Sequence, residues 1–368
     1  MNEPLQTDDF MAMKGAGYYS RATIGAKHVM DNATGLILDA IERMNPPDDA
    51  SIFTMTDMGC ADGGTSIDMV GTVLKEIRRR CPSRPIQMIY TDLPRNDFSQ
   101  LFQIVHGLTD IKSYFADIDN LYVYGCATSF HQKMVPPGSL NLGHSATASH
   151  YITEVPCKLQ NHIHMIGAQG AERAAFDAKG AHDWENMLLN RTEELTSGGR
   201  LALFNFGIDE EGRYLGHTGG VSMFDMFNEL WRELADEGTI TNQEYLQTNF
   251  PQHYRTVEQF AAPLRDETNP VFRAGLRLEH IETRVVKCPF AEDFQRHGDA
   301  EKFAAEYIPT LRSWSEPVFL AGLSTDRSAA ERASIVNDFY GRYQRRVAES
   351  PEGHGMDYVH CYMICAKE

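Results

Sequence analysis

Hydrophobic and polar positions alternate in blocks along the first half of the chain, and the blocks change period. Residues 50–58 (ASIFTMTDM) form a β-rich run that stops at glycine. Residues 65–80 then carry apolar side chains at Ile67, Val70, Val73, Leu74 and Ile77, the spacing of a helix with one buried face. A second short apolar run, 86–90 (IQMIY), leads into Thr91-Asp92-Leu93-Pro94. Residues 121–124 and 140–142 predict further strands. Residues 184–195 predict an amphipathic helix ended by Ser197-Gly198-Gly199, and 200–206 (RLALFNF) predicts another buried strand. This β-α-β-α rhythm implies an α/β fold with a parallel sheet covered on both faces.

The pattern changes after about residue 208. A helix is expected over 224–237, loop over 245–260, a strand over 276–286, a helix over 329–349 and a terminal strand over 358–366. The expected division is a core over 1–207, a mostly helical cap over 208–320, and a return to the sheet over 321–368.

Composition narrows the function classes. The 368 residues are 42% hydrophobic and 23% charged, ample for a large core. Lys and Arg number 34 against 51 Asp and Glu, for a formal charge of −17. So acidic a chain argues against broad nucleic-acid or anionic-membrane binding and leaves room for a small-molecule partner. The N-terminus lacks a signal-peptide layout, and no apolar run nears the roughly 20 residues of a membrane span. The seven cysteines are scattered and lack CxxC spacing, as in a reduced cytoplasmic protein. His162 and His164 form an H-x-H pair, too few ligands for zinc.

The strongest local chemistry is Asp57-Met58-Gly59-Cys60-Ala61-Asp62-Gly63-Gly64, between the first strand and the first helix. Glycines at such a turn let backbone approach a ligand, and the helix N-terminus presents free N–H groups. The run is neither G-x-G-x-x-G nor a Walker A loop. Asp92 ends the second strand, where a carboxylate suits a ribose diol. Together these fit S-adenosylmethionine (SAM) better than NAD.

Blocks spread along the chain resemble the SABATH family of SAM-dependent carboxyl methyltransferases. Met13-Lys14-Gly15-Ala16-Gly17-Tyr18-Tyr19 is similar to its N-terminal opening, Asp57-Met58-Gly59-Cys60 to its D-L-G-C, and Asp92-Leu93-Pro94-Arg95-Asn96-Asp97-Phe98 to its D-L-P-x-N-D-F. Ser129-Phe130 with Met134-Val135-Pro136, the run 145–156, the stretch 183–200, and Asn249-Phe250-Pro251 match further blocks in register. The resemblance implies a Rossmann-like SAM methyltransferase sheet with an α-helical cap, a small-molecule acceptor and a homodimer. It implies a SAM site of Tyr19, Thr23, Asp57, Gly59, Asp92, Leu93, Ser129, Phe130 and Ser145. For the acceptor it implies Lys14, Ala26, His28, Thr147, His150, Tyr151, Met223 and Phe224. Some members hold a structural Mg²⁺, with Asn249 at a ligand position.

The acceptor site departs from the family. Ala26 falls where a carboxylate-gripping glutamine is usual, or His28 does if the register shifts by two. Tyr151 replaces a tryptophan, and Thr147 a tyrosine. Ala26 is expected to open volume beside the methyl group. The leading expectation is methylation of a small organic acid at its carboxylate. A phenol, ring nitrogen or carbon acceptor is the alternative, and a silent SAM-fold binding protein a third reading.

Overall fold

The computed structural model describes residues 6–15, 17–44 and 46–368. Ala16 of the N-terminal block lies outside the described residues. A short helix α1 (Tyr18–Ala22) and the long α2 (Ile24–Met44) precede β1 (Phe53–Met58). Then come α3 (Ile67–Arg80), β2 (Ile86–Asp92), α4 (Phe98–Val105), β3 (Leu121–Ala127), β4 (Leu140–Ala146), α5 (Gly170–Glu194) and β5 (Leu195–Ile208). The second half contains α6 (Met223–Asp236), α7 (Asn242–Gln247), β6 (Arg255–Thr256), α8 (Val257–Arg265), α9 (Pro270–Arg273) and β7 (Leu276–Val286). It ends with α10 (Pro289–His297), α11 (Ala300–Gly322), α12 (Ala329–Glu349) and β8 (Tyr358–Lys367).

The sheet runs β3-β2-β1-β4-β5-β8-β7, with β6 paired to the end of β5. Strands β1 to β5 are parallel, and β8 is antiparallel to both β5 and β7. β1 and β4 are buried along their whole length, because helices cover both faces of the sheet centre. The α3 face predicted from spacing is the face that is buried, with Ile67, Val70, Val73, Leu74 and Ile77 at most 2% exposed.

Three expectations change. The cap is not one stretch over 208–320, because β7 lies within that range and joins the sheet; the helices come in two groups, α6–α9 and α10–α12. The supposed loop 245–260 contains β6 and the first four residues of α8, and α7 runs into it. Thr241 with Glu244 and Thr256 with Gln259 form capping boxes that start α7 and α8. Helix α5 begins fourteen residues before the expected 184. No helix among the described residues is long and apolar enough to cross a membrane.

Candidate active site

The loop after β1 builds a cavity at the carboxyl ends of the parallel strands, where open α/β sheets bind ligands. Gly59 has φ +76°, and a Cβ there would lie 2.5 Å from that of Ala148. Only glycine permits this turn and this approach together. Ala61 follows with φ 49°. Its N–H donates to Asp92 Oδ2 at 2.7 Å, the Leu93 N–H donates to Oδ1 at 2.7 Å, and Asn96 Nδ2 donates to the Ala61 carbonyl at 2.7 Å. The Asp92 carboxylate is thus held from behind, with a further lone pair on each oxygen for a ligand. Burial raises its pKa to about 6 against these two backbone bonds, so it is ionised at neutral pH.

Gly59, Ala61, Asp92, Leu93, Ser129 and Phe130 line this cavity, joined by Tyr19 and the N-terminal residues Thr7, Asp8 and Met11. A second cavity adjoins it, lined by Thr23, His150, Phe206, Leu215, Gln252, Trp314, Met356 and Tyr358. Met13, Tyr19, Thr147 and Tyr151 line both. Thr147 is a β-branched residue with φ 53°, a conformation that costs energy and clusters at functional sites.

Several expected residues sit elsewhere. Asp57 is buried below the cavity and accepts a hydrogen bond from Ser66 Oγ at 2.7 Å, which ties β1 to the start of α3. Burial lifts its pKa to about 7. Ser145 donates to the Met58 carbonyl at 2.9 Å and lines neither cavity. Thr23 lines the second cavity rather than the first. Lys14 points away, pairing with Glu316 at 3.6 Å and covering the Tyr18 ring. His28 is exposed on α2. Ala26 is buried, but the Tyr358 ring packs beside it: a Cβ on neighbouring Gly25 would lie 2.2 Å from that ring. Ala26 lines neither cavity, whereas Tyr358, packed on Gly25, lines the second one. Met223 and Phe224 lie one layer out, with Phe224 stacked on His164 at 3.7 Å. Asn249 spends its Oδ1 on the Leu159 N–H at 3.0 Å and its Nδ2 on the Leu246 carbonyl at 2.8 Å. No group of three acidic, His or Cys side chains suits a metal among the described residues. The expected Mg²⁺ does not fit this site.

Sequence reasoning missed four supporting residues. Asp62 accepts from the Ser20 N–H at 3.1 Å and from the Ser20 hydroxyl, which docks α1 onto the loop. Arg191 and Glu194, both fully buried, form an ion pair at 2.7 Å. Arg191 also donates to the carbonyls of Phe130 at 2.7 Å and Gln132 at 2.6 Å, and Glu194 accepts from the Met134 N–H at 2.6 Å. The pair thereby shapes the loop that carries Ser129 and Phe130. His131 contacts the Tyr151 carbonyl at 3.0 Å through Nε2; burial holds its pKa near 4, so the neutral ring donates. Arg191 and Glu194 fall inside the matched stretch 183–200, and His131 follows Ser129-Phe130, so adjacency was the available signal.

A profile of the SAM dependent carboxyl methyltransferase family matches residues 7–368. The chain belongs to that family. Among its relatives are gibberellic acid methyltransferase 2 of Arabidopsis thaliana and the salicylate/benzoate carboxyl methyltransferase of the same plant. The first is 23% identical over 86% of this chain and 83% of its own. The second is 25% identical over 91% of this chain and 86% of its own. A solved loganic acid methyltransferase with S-adenosylhomocysteine (SAH) superposes with a TM-score of 0.76 at 18% identity, covering 97% of this chain and 98% of that one. The protein is thus a SAM-dependent methyltransferase of the SABATH family, and the cavity at Asp92 fits its methyl donor. The Asp92 oxygens can accept from ribose hydroxyls, while Leu93 and Phe130 offer apolar surface for a base.

Proposed function

We propose that this methyltransferase esterifies the carboxylate of a small organic acid with an apolar body. The observation that carries the reading is the lining of the second cavity. Among the described residues it combines neutral donors (Tyr19, Tyr151, Gln252) with apolar walls (Met13, Phe206, Leu215, Trp314, Met356) and no Asp or Glu, while the Thr23 and Thr147 hydroxyls donate to the carbonyls of Tyr19 and Ala146 at 2.7 Å. A carboxylate can sit against such donors and would be repelled by an acidic wall. The names of relatives acting on gibberellic acid, indole-3-acetate and loganic acid agree with this class.

When bound, SAM supplies a methyl group on a sulfonium. A carboxylate has an ordinary pKa near 4 and is already a nucleophile at pH 7, so no residue need remove a proton. The chain's task is to hold the acid at the wall shared by the two cavities and to exclude water, which is catalysis by proximity and orientation. Asp92 anchors one reactant, and the residues behind Tyr151 anchor the other.

A second reading is favoured by His150. Its ring lines the acceptor cavity, burial drives its pKa well below the ordinary 6.5, and its Nδ1 has no partner. A neutral imidazole there can accept a hydrogen bond from a hydroxyl acceptor and orient its oxygen toward the methyl group.

The test is a panel of gibberellic acid, indole-3-acetate, loganic acid, benzoate and salicylate, with phenols and N-heterocycles alongside, each incubated with SAM. SAH release and methyl-ester mass report turnover. Methylation of one or more acids that survives His150→Phe is expected. Turnover confined to phenols or heterocycles and lost in His150→Phe overturns the acid reading in favour of the second.

A further inference from the structure

Among the described residues the acceptor cavity is lined by a single primary amide, Gln252, and the network behind it fixes which end faces inward. The Ile166 N–H approaches His164 Nδ1 at 3.3 Å, so Nδ1 accepts. His164 is buried and stacked on Phe224, and burial together with neighbouring His162 keeps the ring neutral. A neutral imidazole that accepts at Nδ1 carries its proton on Nε2. That Nε2–H meets Gln252 Oε1 at 3.2 Å, and the Tyr254 hydroxyl donates to the same oxygen at 3.4 Å. Two donors on one end identify it as the carbonyl end. The NH₂ end is left for the cavity and for Tyr151.

Tyr151 and Gln252 face each other across an isolated antiparallel bridge, and the amide donates towards the phenol oxygen. An oxygen that accepts from Gln252 directs its own O–H elsewhere, and Tyr151 lines the wall common to both cavities. Burial pushes the Tyr151 pKa up, so the hydroxyl keeps its proton at any working pH. The result is an N–H donor and an O–H donor side by side.

We propose that Gln252 Nε2–H and Tyr151 O–H form the donor pair that holds the two oxygens of the acceptor's carboxylate. They supply from the 249–254 segment and the loop after β4 the amide that Ala26 does not supply from α2. The selected substrate class is therefore a monoanionic acid, held by neutral donors without a cation and with its apolar body against Phe206, Leu215, Trp314 and Met356. This rests on the acid reading above.

The experiment measures initial rates for wild type, Gln252→Met, Tyr151→Phe, the Gln252→Met/Tyr151→Phe double variant and Gln252→Glu. The probe is whichever of indole-3-acetate, gibberellic acid, loganic acid, benzoate or salicylate the wild type methylates fastest, and SAM titration calorimetry runs in parallel. A hydrogen bond to a charged group is worth about 1.5–3 kcal/mol, so Gln252→Met and Tyr151→Phe should each raise the acid KM about 10- to 100-fold. SAM affinity should stay within about twofold. Their effects should combine to less than the product, because one donor orients the other. Gln252→Glu keeps the shape but sets an acceptor against the acid, and should lose turnover at pH 8. Tyr151→Phe removes one oxygen and keeps the ring, so it carries the test if a Gln252 variant fails to fold. Acid turnover with KM unchanged in Tyr151→Phe and in each folded Gln252 variant overturns the clamp alone. No turnover of any acid while SAM still binds overturns the clamp and the acid reading together.

Discussion

Ser20 gives both its backbone N–H and its hydroxyl to the carboxylate of Asp62. The serine belongs to α1 and the aspartate to the loop after β1, 42 residues on. The contact is tight enough that a Cβ on Gly64 would lie 2.2 Å from the Ser20 oxygen. Asp62 also accepts from the Gly64 N–H at 3.2 Å. One carboxylate therefore shapes the glycine loop and fastens the N-terminal segment over it.

Asp62→Ala should loosen that segment from the donor cavity without unfolding the sheet. SAM affinity should fall, by at most the worth of a hydrogen bond to a charged group, about 1.5–3 kcal/mol, because Asp62 bonds Ser20 and Gly64 and acts on the cavity through them. Titration calorimetry checks the loss; Ser20→Ala, which leaves the backbone N–H in place, should lose less. Equal affinity in all three proteins would dismiss the fastening role.

Asp92→Ala should weaken SAM binding by a similar about 1.5–3 kcal/mol. The wild type should also bind SAM more weakly as pH falls through about 6, where the Asp92 carboxyl takes up its proton. Dissociation constants at pH 5, 6, 7 and 8 test this. A flat profile in the wild type would exclude the carboxylate as the pH-sensitive contact.

Arg191 and Glu194 predict a structural penalty. Removing one partner strands a fully buried charge, which costs about 3–5 kcal/mol. Arg191→Leu should therefore lower the unfolding midpoint in urea and, by freeing the carbonyls of Phe130 and Gln132, weaken SAM binding in whatever fraction folds. Unfolding curves for the two proteins decide it.

Asp57 predicts a pH effect on stability. Its pKa is raised from the ordinary range near 4 to about 7 by burial. A group raised in the folded state binds its proton more tightly there, so its contribution is full below about pH 4 and lost as pH rises through about 7. Each pH unit between those limits is worth about 1.4 kcal/mol at most. Asp57→Asn, which can still accept from Ser66, should flatten this part of the stability profile. Urea unfolding at pH 5 and pH 8 measures it, and parallel profiles for the two proteins would refute it.

The core of the fold was legible because period and punctuation agreed there. β1, β2 and β5 announce themselves by apolar runs closed by glycine or by Asp92, and α3 by the helical spacing of its apolar positions. Helix α11 did not: Pro309 and Pro317, residues that ordinarily end a helix, lie inside it, and the folded helix continues through both. α7 and α8 were hidden in a polar stretch whose only markers were their capping threonines. In the site, residues whose backbone makes the turn, such as Gly59 and Asp92, were readable from order alone. Gln252 was not: its meaning depends on His164 and Tyr254, and His164 is 88 residues away and meets it only in the folded chain. Asp57 and Ser145 show the converse, since a residue in a recognisable block can serve the scaffold rather than the ligand.

The wall common to both cavities also constrains how such an enzyme can change its preferences over generations. Met13, Tyr19, Thr147 and Tyr151 line both cavities at once, so a change of side-chain volume at these four positions that reshapes the seat for a new acceptor also disturbs the neighbouring seat of the cosubstrate. Phe206, Leu215, Trp314 and Met356 border the acceptor side alone. Drift in substrate choice is expected to concentrate at those four, where a lineage can try new acceptors while keeping its hold on the methyl source.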